Sequence, residues 1–172
     1  PLSFSQERLW FLDQLEGSLA YHIPMVIVLE GALDSLLLEQ SLQSIVSRHE
    51  VLRTNIESKD GVGYQEVVGA QDWKLSKECI LEEALESRLD MYLGKPFDLS
   101  SDYKLRSCLY DLGGNQYVLA CVFHHIASDG WSSGLLVKEF TELYSAFQSG
   151  RVPVLPDLSL QYSDYAIWQR KY

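Results

Sequence analysis

Two adjacent imidazoles and a nearby carboxylate are the side chains whose types and spacing could do chemistry. They are His124, His125 and, four residues further on, Asp129, followed by Gly130. An alternating apolar run, residues 117–123, precedes them and reads as a buried strand; a strongly periodic helix begins near Ser132. Successive strand side chains point to opposite faces, so a pleat continuing through the pair sends one histidine into the domain and the other to a cleft. Asp129 and Gly130 suit a tight turn with positive φ, which would fold the carboxylate back under the histidine loop.

Three readings are open to this set. One is a plain strand-turn-helix junction with a core histidine. A second is a zinc site, since His, His and Asp are all ligand types. Adjacent strand residues diverge, however, and no Cys-x-x-Cys or His-Glu-x-x-His spacing accompanies them, so the reading is against a metal. The third is acid-base chemistry, with a neutral imidazole at a cleft mouth taking a proton from an attacking nucleophile.

The elements that must position these residues are readable along the chain. Ser3 and Gln6 have the spacing of a capping box and open a helix over residues 4–15, with Leu9, Trp10, Leu12 and Leu15 at helical intervals. Residues 22–31 read as a strand, and its unbroken apolar centre predicts burial on both faces. His22 is placed at the strand edge, on the surface and outside the site. Asp34 and Ser35 cap a helix to about Arg48, which runs directly into a strand starting at Arg53. His49 is expected to pack at the helix end. Arg53 offers a planar fork to a carboxylate; the natural partner is Asp129, with Arg48 as the competing cation.

Residues 56 and 64–68 suggest a hairpin, and Gly61-Val62-Gly63 reads as a turn, since it lacks the strand-loop-helix setting of a phosphate cradle. A helix is predicted over 78–92, with Leu81, Leu85, Leu89 and Tyr92 inside. Residues 104–112 and 116–123 form a second hairpin. It delivers the histidines to a helix from Ser132 or Ser133 to about Gln148, stopped by Gly150. Residues 153–156 read as an extended linker before a final aromatic amphipathic helix.

Composition bounds the rest. The 172 residues are the size of one domain, which can bury about 70% of its unfolded surface. A hydrophobic share of 47% and a charged share of 22% are those of a globular chain. The net charge of −10, with no run of Lys or Arg, argues against a nucleic-acid partner. Cys79, Cys108 and Cys121 are widely spaced and read as reduced thiols of a cytoplasmic protein. No signal peptide or bilayer-length apolar run is visible, so no membrane partner is expected. A chain opening on Pro1 is expected to be cut from a longer one.

Taken whole, His124-His125-Ile126-Ala127-Ser128-Asp129-Gly130-Trp131-Ser132 resembles the His-His-x-x-x-Asp-Gly signature of condensation domains in nonribosomal peptide synthetases. Three further stretches match the same family in order. Leu2-Ser3-Phe4-Ser5-Gln6-Glu7-Arg8-Leu9-Trp10-Phe11-Leu12 resembles its opening motif, and Arg48-His49-Glu50-Val51-Leu52-Arg53-Thr54-Asn55-Ile56 its second. Tyr162-Ser163-Asp164-Tyr165-Ala166-Ile167-Trp168-Gln169-Arg170 resembles Tyr-x-Asp-Tyr-Ala-x-Trp-Gln-Arg. Pro96-Phe97-Asp98-Leu99 also resembles a family segment, but Ser100 to Lys104 stand where apolar residues are more common.

The resemblance implies an α/β fold (α+β, two-layer) similar to chloramphenicol acetyltransferase, a mixed sheet packed by helices. Residues 1–172 would be the N-terminal subdomain, with the C-terminal subdomain absent. It implies amide bond formation between a donor acyl or peptidyl thioester and an acceptor aminoacyl thioester. No cofactor is bound directly, because both substrates ride on the phosphopantetheine of carrier proteins. Partners would be donor and acceptor peptidyl carrier proteins, the missing C-terminal half and an adjacent adenylation domain. His125 would face the tunnel as general base or as the group positioning the amine, and His124 would turn into the fold. Asp129 would act through Arg53, and Gly130 would permit close substrate approach. The Ser-Asp-Gly-Trp-Ser wording is similar to the subtype taking donors with an L-configured end. An epimerisation domain, a free-acceptor acyltransferase and a non-catalytic carrier-protein binding module stand as alternatives.

Overall fold

The computed structural model describes residues 1–171, with the side chain of Trp131 left aside. Helix α1 (Phe4–Glu16) starts where the capping box requires. Ser3 Oγ accepts from Gln6 N at 3.1 Å, and Gln6 Oε1 accepts from Ser3 N at 3.0 Å. Such a cap is worth about 1 kcal/mol. Strand β1 (His22–Glu30) follows, then α2 (Ser35–Arg48), whose N-cap Asp34 accepts from Leu36 N and Leu37 N. A single 3-10 turn leads into the hairpin of β2 (Thr54–Lys59) and β3 (Val62–Val67). Gly63 there lies so close to α1 and the residues before it that a Cβ would stand 3.1 Å from Trp10 Cε3 and 2.7 Å from Leu2 Cδ1. After β4 (Ser76–Cys79) come α3 (Leu85–Leu93), β5 (Leu105–Gly113), β6 (Gln116–His124), α4 (Gly130–Gln148) and α5 (Tyr162–Lys171).

The main sheet has the order β1-β6-β5-β4, with β4 parallel to β5 and the other pairs antiparallel. Its two faces follow strand parity. Leu105, Leu109, Leu119, Cys121 and Phe123 pack under α2 and α4, against Leu38, Leu42, Ile45, Leu136 and Leu143. Cys108, Tyr110, Val118 and Ala120 pack under α3, against Leu85, Leu89 and Tyr92. A third cluster joins α1 to the sheet end through Leu2, Ile56, Phe97, Leu99, Val122 and Ile126. Each aliphatic side chain buried this way contributes about 1.5–3 kcal/mol. The mixed sheet packed by helices is the expected class. All three cysteines are free, Cys108 and Cys121 buried and Cys79 exposed. Among the described residues no helix is long and apolar enough to cross a membrane.

Three expectations are corrected. β1 is an edge strand, not a central one; its apolar run alternates, with Val28 68% exposed on the same sheet face as its partner Val118 but at the open edge. The helix expected over 78–92 gives way to β4, a 3-10 turn and a shorter α3, because Ser76–Cys79 supplies hydrogen-bond partners to the edge of β5. Leu81 is accordingly exposed. Finally, α4 begins at Gly130, and Gly130 does not take a positive φ.

Candidate functional site

Strand β6 ends with its last backbone amide, His124 N, donating to Lys104 O at 3.0 Å. The next amide, His125 N, donates across to Tyr21 O at 2.8 Å, and Ala127 N closes a turn on His124 O at 2.9 Å. The pleat holds through the pair: His124 is fully buried and His125 exposed. His125 reaches a cavity of about 500 Å³, lined also by His49, Ser128, Asp129, Ser132, Leu160 and Tyr162. The face opposite holds His124, beside Phe97 and His22.

His124 is turned into the fold. Its Nδ1 accepts from Ile126 N at 3.1 Å, which puts the neutral ring's proton on Nε2 and ties the imidazole to the turn. Burial, with smaller contributions from His22, Lys104 and His125, pushes its pKa down to about 3. Nε2 lies 3.9 Å from Asp13 Oδ1, and neither atom has a hydrogen-bond partner among the described residues. Burial, with Asp98 nearby, raises the Asp13 carboxyl above its ordinary range. Lys104, buried beneath the same turn, is pushed down to about 8 by desolvation, which its acidic neighbours only partly offset.

His22 is not the surface residue expected. It stands opposite His124 in the β1–β6 register, half-buried, with Nε2 against Ser18 Oγ at 3.1 Å and Nδ1 against Leu93 O at 3.2 Å. Burial lowers its pKa, so two neutral imidazoles back the loop.

The expected pair between Arg53 and Asp129 is replaced by two separate devices. Arg53 sits at the end of the 3-10 turn, where Nη1 donates to Val68 O at 2.6 Å and Nε to Ser47 O at 3.3 Å, with Glu50 at 3.5 Å. It closes the exit of the β2–β3 hairpin, whose end carbonyl would otherwise be left unpaired. Asp129 is the N-cap of α4. Its Oδ1 accepts from Ser132 N at 2.8 Å and Ser132 Oγ at 2.6 Å, satisfying donors that the first turn leaves orphaned. Arg48, the competing cation, also goes elsewhere: Nε meets Glu139 Oε1 at 3.1 Å and Nη2 donates to Pro156 O.

Sequence reasoning passed over Glu139. Its carboxylate, 4% exposed, binds Arg48 through one oxygen and His49 Nε2 through the other, at 2.7 Å. The signal was present: Glu139 lies three residues after Leu136 and four before Leu143, a carboxylate on the apolar stripe of α4.

The far wall of the cavity comes from the segment before α5 and from the first residue of that helix. Gln161 bonds Glu50 N and Arg48 O, and Tyr162 OH meets Ser3 Oγ at 3.0 Å. Arg170 then clasps α1, donating to Leu2 O and Glu7 and lying over the Phe4 ring, while Gln169 Oε1 accepts from Phe4 N. Chemically, the arrangement offers, among the described residues, an imidazole without a hydrogen-bond partner on a mostly apolar wall, at the positive N-terminal end of a 19-residue helix.

The Condensation domain family model matches residues 1–172. A dimodular nonribosomal peptide synthase of Bacillus subtilis is 41% identical over 174 residues, covering 99% of this chain and 7% of that protein. A linear gramicidin synthase of Brevibacillus parabrevis is 39% identical over 180 residues, covering 100% of this chain and 4% of that protein. Among solved structures, the X-domain from teicoplanin biosynthesis matches with a TM-score of 0.91 and 33% identity over 99% of this chain. A further structure of that X-domain, 32% identical, is its complex with OxyB. The chain spans 38% of the X-domain chain.

Proposed function

The chain belongs to the condensation-domain family, and from that premise we propose that it forms the N-terminal half of an amide-forming site. A donor acyl or peptidyl thioester and an acceptor aminoacyl thioester, each on the phosphopantetheine of a carrier protein, meet in the cavity. The acceptor amine attacks the donor carbonyl, the C–S bond breaks, and the donor arm leaves as a thiol while a new C–N bond forms on the acceptor carrier.

The single observation that carries this reading is the division of the histidine pair. His125 is exposed on the cavity wall, its imidazole without a hydrogen-bond partner among the described residues, while His124 is buried and tied to the turn. His125 therefore takes the proton that the amine loses, or accepts its hydrogen bond and aligns it. General-base help of this kind is worth about 10² to 10⁴ in rate. Gly130 N–H, at the first turn of α4, is an orphan donor of the sort an oxyanion requires. At the position of a Gly130 Cβ nothing lies within 4 Å, which leaves room for close approach. Asp129 fixes that helix start. The donor is taken to have an L-configured end, from the Ser-Asp-Gly-Trp-Ser string. The second half of the domain completes the tunnel, so the chain alone is expected to turn over weakly.

The test is intact-mass detection of amide formation by the complete synthetase module carrying this chain, with donor- and acceptor-loaded carriers. Wild type is expected to add the donor mass to the acceptor carrier, with L-ended donors preferred over D-ended ones. His125→Ala is expected to lose about 10²-fold or more while remaining folded. No transfer with several donors, or an unimpaired variant, would overturn the assignment. One second reading has an observation behind it: a non-catalytic docking module, favoured by the likeness to an X-domain solved in complex with OxyB. Carrier binding without transfer would support it. Scrambled α-carbon configuration or transfer to a free amine would instead indicate an epimerase or a free-acceptor acyltransferase.

A further inference from the structure

We infer that His49 is a second substrate-facing residue of this cavity, its Nδ1 accepting a hydrogen bond from the acceptor amine; this rests on the amide-forming reading. His49 ends α2 and lines the same cavity as His125. Its Nε2 is 2.7 Å from Glu139 Oε2. A carboxylate only accepts, so the proton of the neutral ring is on Nε2 and Nδ1 keeps its lone pair. No described residue bonds that Nδ1.

The side chain is held more tightly than packing at a helix end requires. Glu139 is buried and anchored on its other oxygen by Arg48. The backbone is held as well: Gln161 Oε1 accepts from Glu50 N and Gln161 Nε2 donates to Arg48 O, each at 3.1 Å, so one amide brackets His49 on both sides. An imidazole on a cavity wall, restrained at side chain and backbone, is what recognition of a flexible substrate needs, because the ordering is done before binding.

The proton count gives the two histidines different tasks. A primary amine carries two hydrogens. The one that leaves as the C–N bond forms goes toward His125, and the one that stays becomes the N–H of the new amide and is donated to His49 Nδ1. A secondary amine, such as a prolyl acceptor, loses its only hydrogen and has nothing to offer His49. His49 is thus a specificity residue for primary amines.

Two substitutions separate this role from a structural one, because glutamine places an amide nitrogen near Nε2 and asparagine places its amide near Nδ1. In the complete module, His49→Gln keeps the Glu139 bond. It is expected to melt with wild type yet to lose about 10-fold in transfer to an alanyl carrier, the worth of one hydrogen bond, mainly through the apparent KM for the acceptor. Transfer to a prolyl carrier is expected to be unchanged. His49→Asn gives up the Glu139 bond and is expected to melt lower while keeping more of the alanyl activity. A merely structural histidine reverses that order, leaving His49→Gln normal and His49→Asn impaired on both acceptors. That reversal, or an equal loss by His49→Gln on both, would overturn the inference. Failure of the amide-forming reading is told apart, since it removes transfer by wild type itself.

Discussion

The two walls of the cavity hold their histidines in opposite ways. At the end of β6, His125 is held through its backbone, by the bond from His125 N to Tyr21 O, and among the described residues its imidazole has no hydrogen-bond partner. At the end of α2, the His49 ring is bonded to a buried carboxylate and its flanking peptide groups are bracketed by Gln161. One wall invests in an accurately placed Cα and a free ring; the other invests in the ring itself. A proton acceptor must not be committed to a partner, whereas a positioning group gains from being committed. The cost of the second design is a buried charge cluster, and the benefit of the first is that its backing, His124, is neutral.

The largest effect expected from this contrast is at Glu139. Glu139→Gln leaves Arg48 in a poorly hydrated place without its counter-charge, and a loss of about 3 kcal/mol is expected in urea unfolding. A change under about 0.5 kcal/mol would mean that the second wall is not held by its charges.

Next is the acid limb of stability. The buried His124 stays neutral to about pH 3, while the unfolded chain takes up a proton near 6.5. The unfolded state therefore binds more protons between those values, and stability falls as pH drops through that window, by on the order of a few kcal/mol. Asp13 acts in the opposite sense just above the ordinary carboxylate range, since its pKa is raised by folding. His124→Asn keeps an acceptor for Ile126 N and does not titrate, so its melting temperature is expected to fall less between pH 6.5 and 4. An unchanged slope would move the acid sensitivity elsewhere.

Smaller again is the cap. Asp129→Ala removes the acceptor of Ser132 N and is expected to cost about 1 kcal/mol, with a larger loss of activity because the helix start carrying Gly130 frays. Smallest is His125→Ala, whose stability is expected to match wild type within about 0.5 kcal/mol. A destabilised variant would show that the exposed ring is structural after all, and the contrast between the walls would collapse.

How much of this was readable depended on distance along the chain. Ser3 with Gln6, Asp34 before α2, and the glycines between β5 and β6 are local signals, and each element they predict is found where the capping and turn chemistry puts it. The opposite faces of His124 and His125 were legible for the same reason, since strand parity is local. What was not legible depends on partners far away in sequence. Ser76–Cys79 is a strand because β5 has an open edge beside it. His22 is half-buried beside the site because it falls opposite His124. Arg53 closes a hairpin because Val68 O ends there, and Asp129 finds a donor three residues on rather than a cation far back in the chain. Type and charge suggested that an Arg and an Asp should meet. Only the pairing of strands says where each one stands.

The clasp between α1 and α5 joins residues 2–7 to residues 162–170, through contacts separated by 159 to 168 residues. Closing loops of that length costs entropy before any contact is gained, whereas the β5–β6 hairpin closes over a few residues. The sheet is therefore expected to form first and the clasp last. During synthesis the capped helix α1 must wait for residues 162–170 to emerge, so the loop bearing His125 is in place before the wall that encloses it.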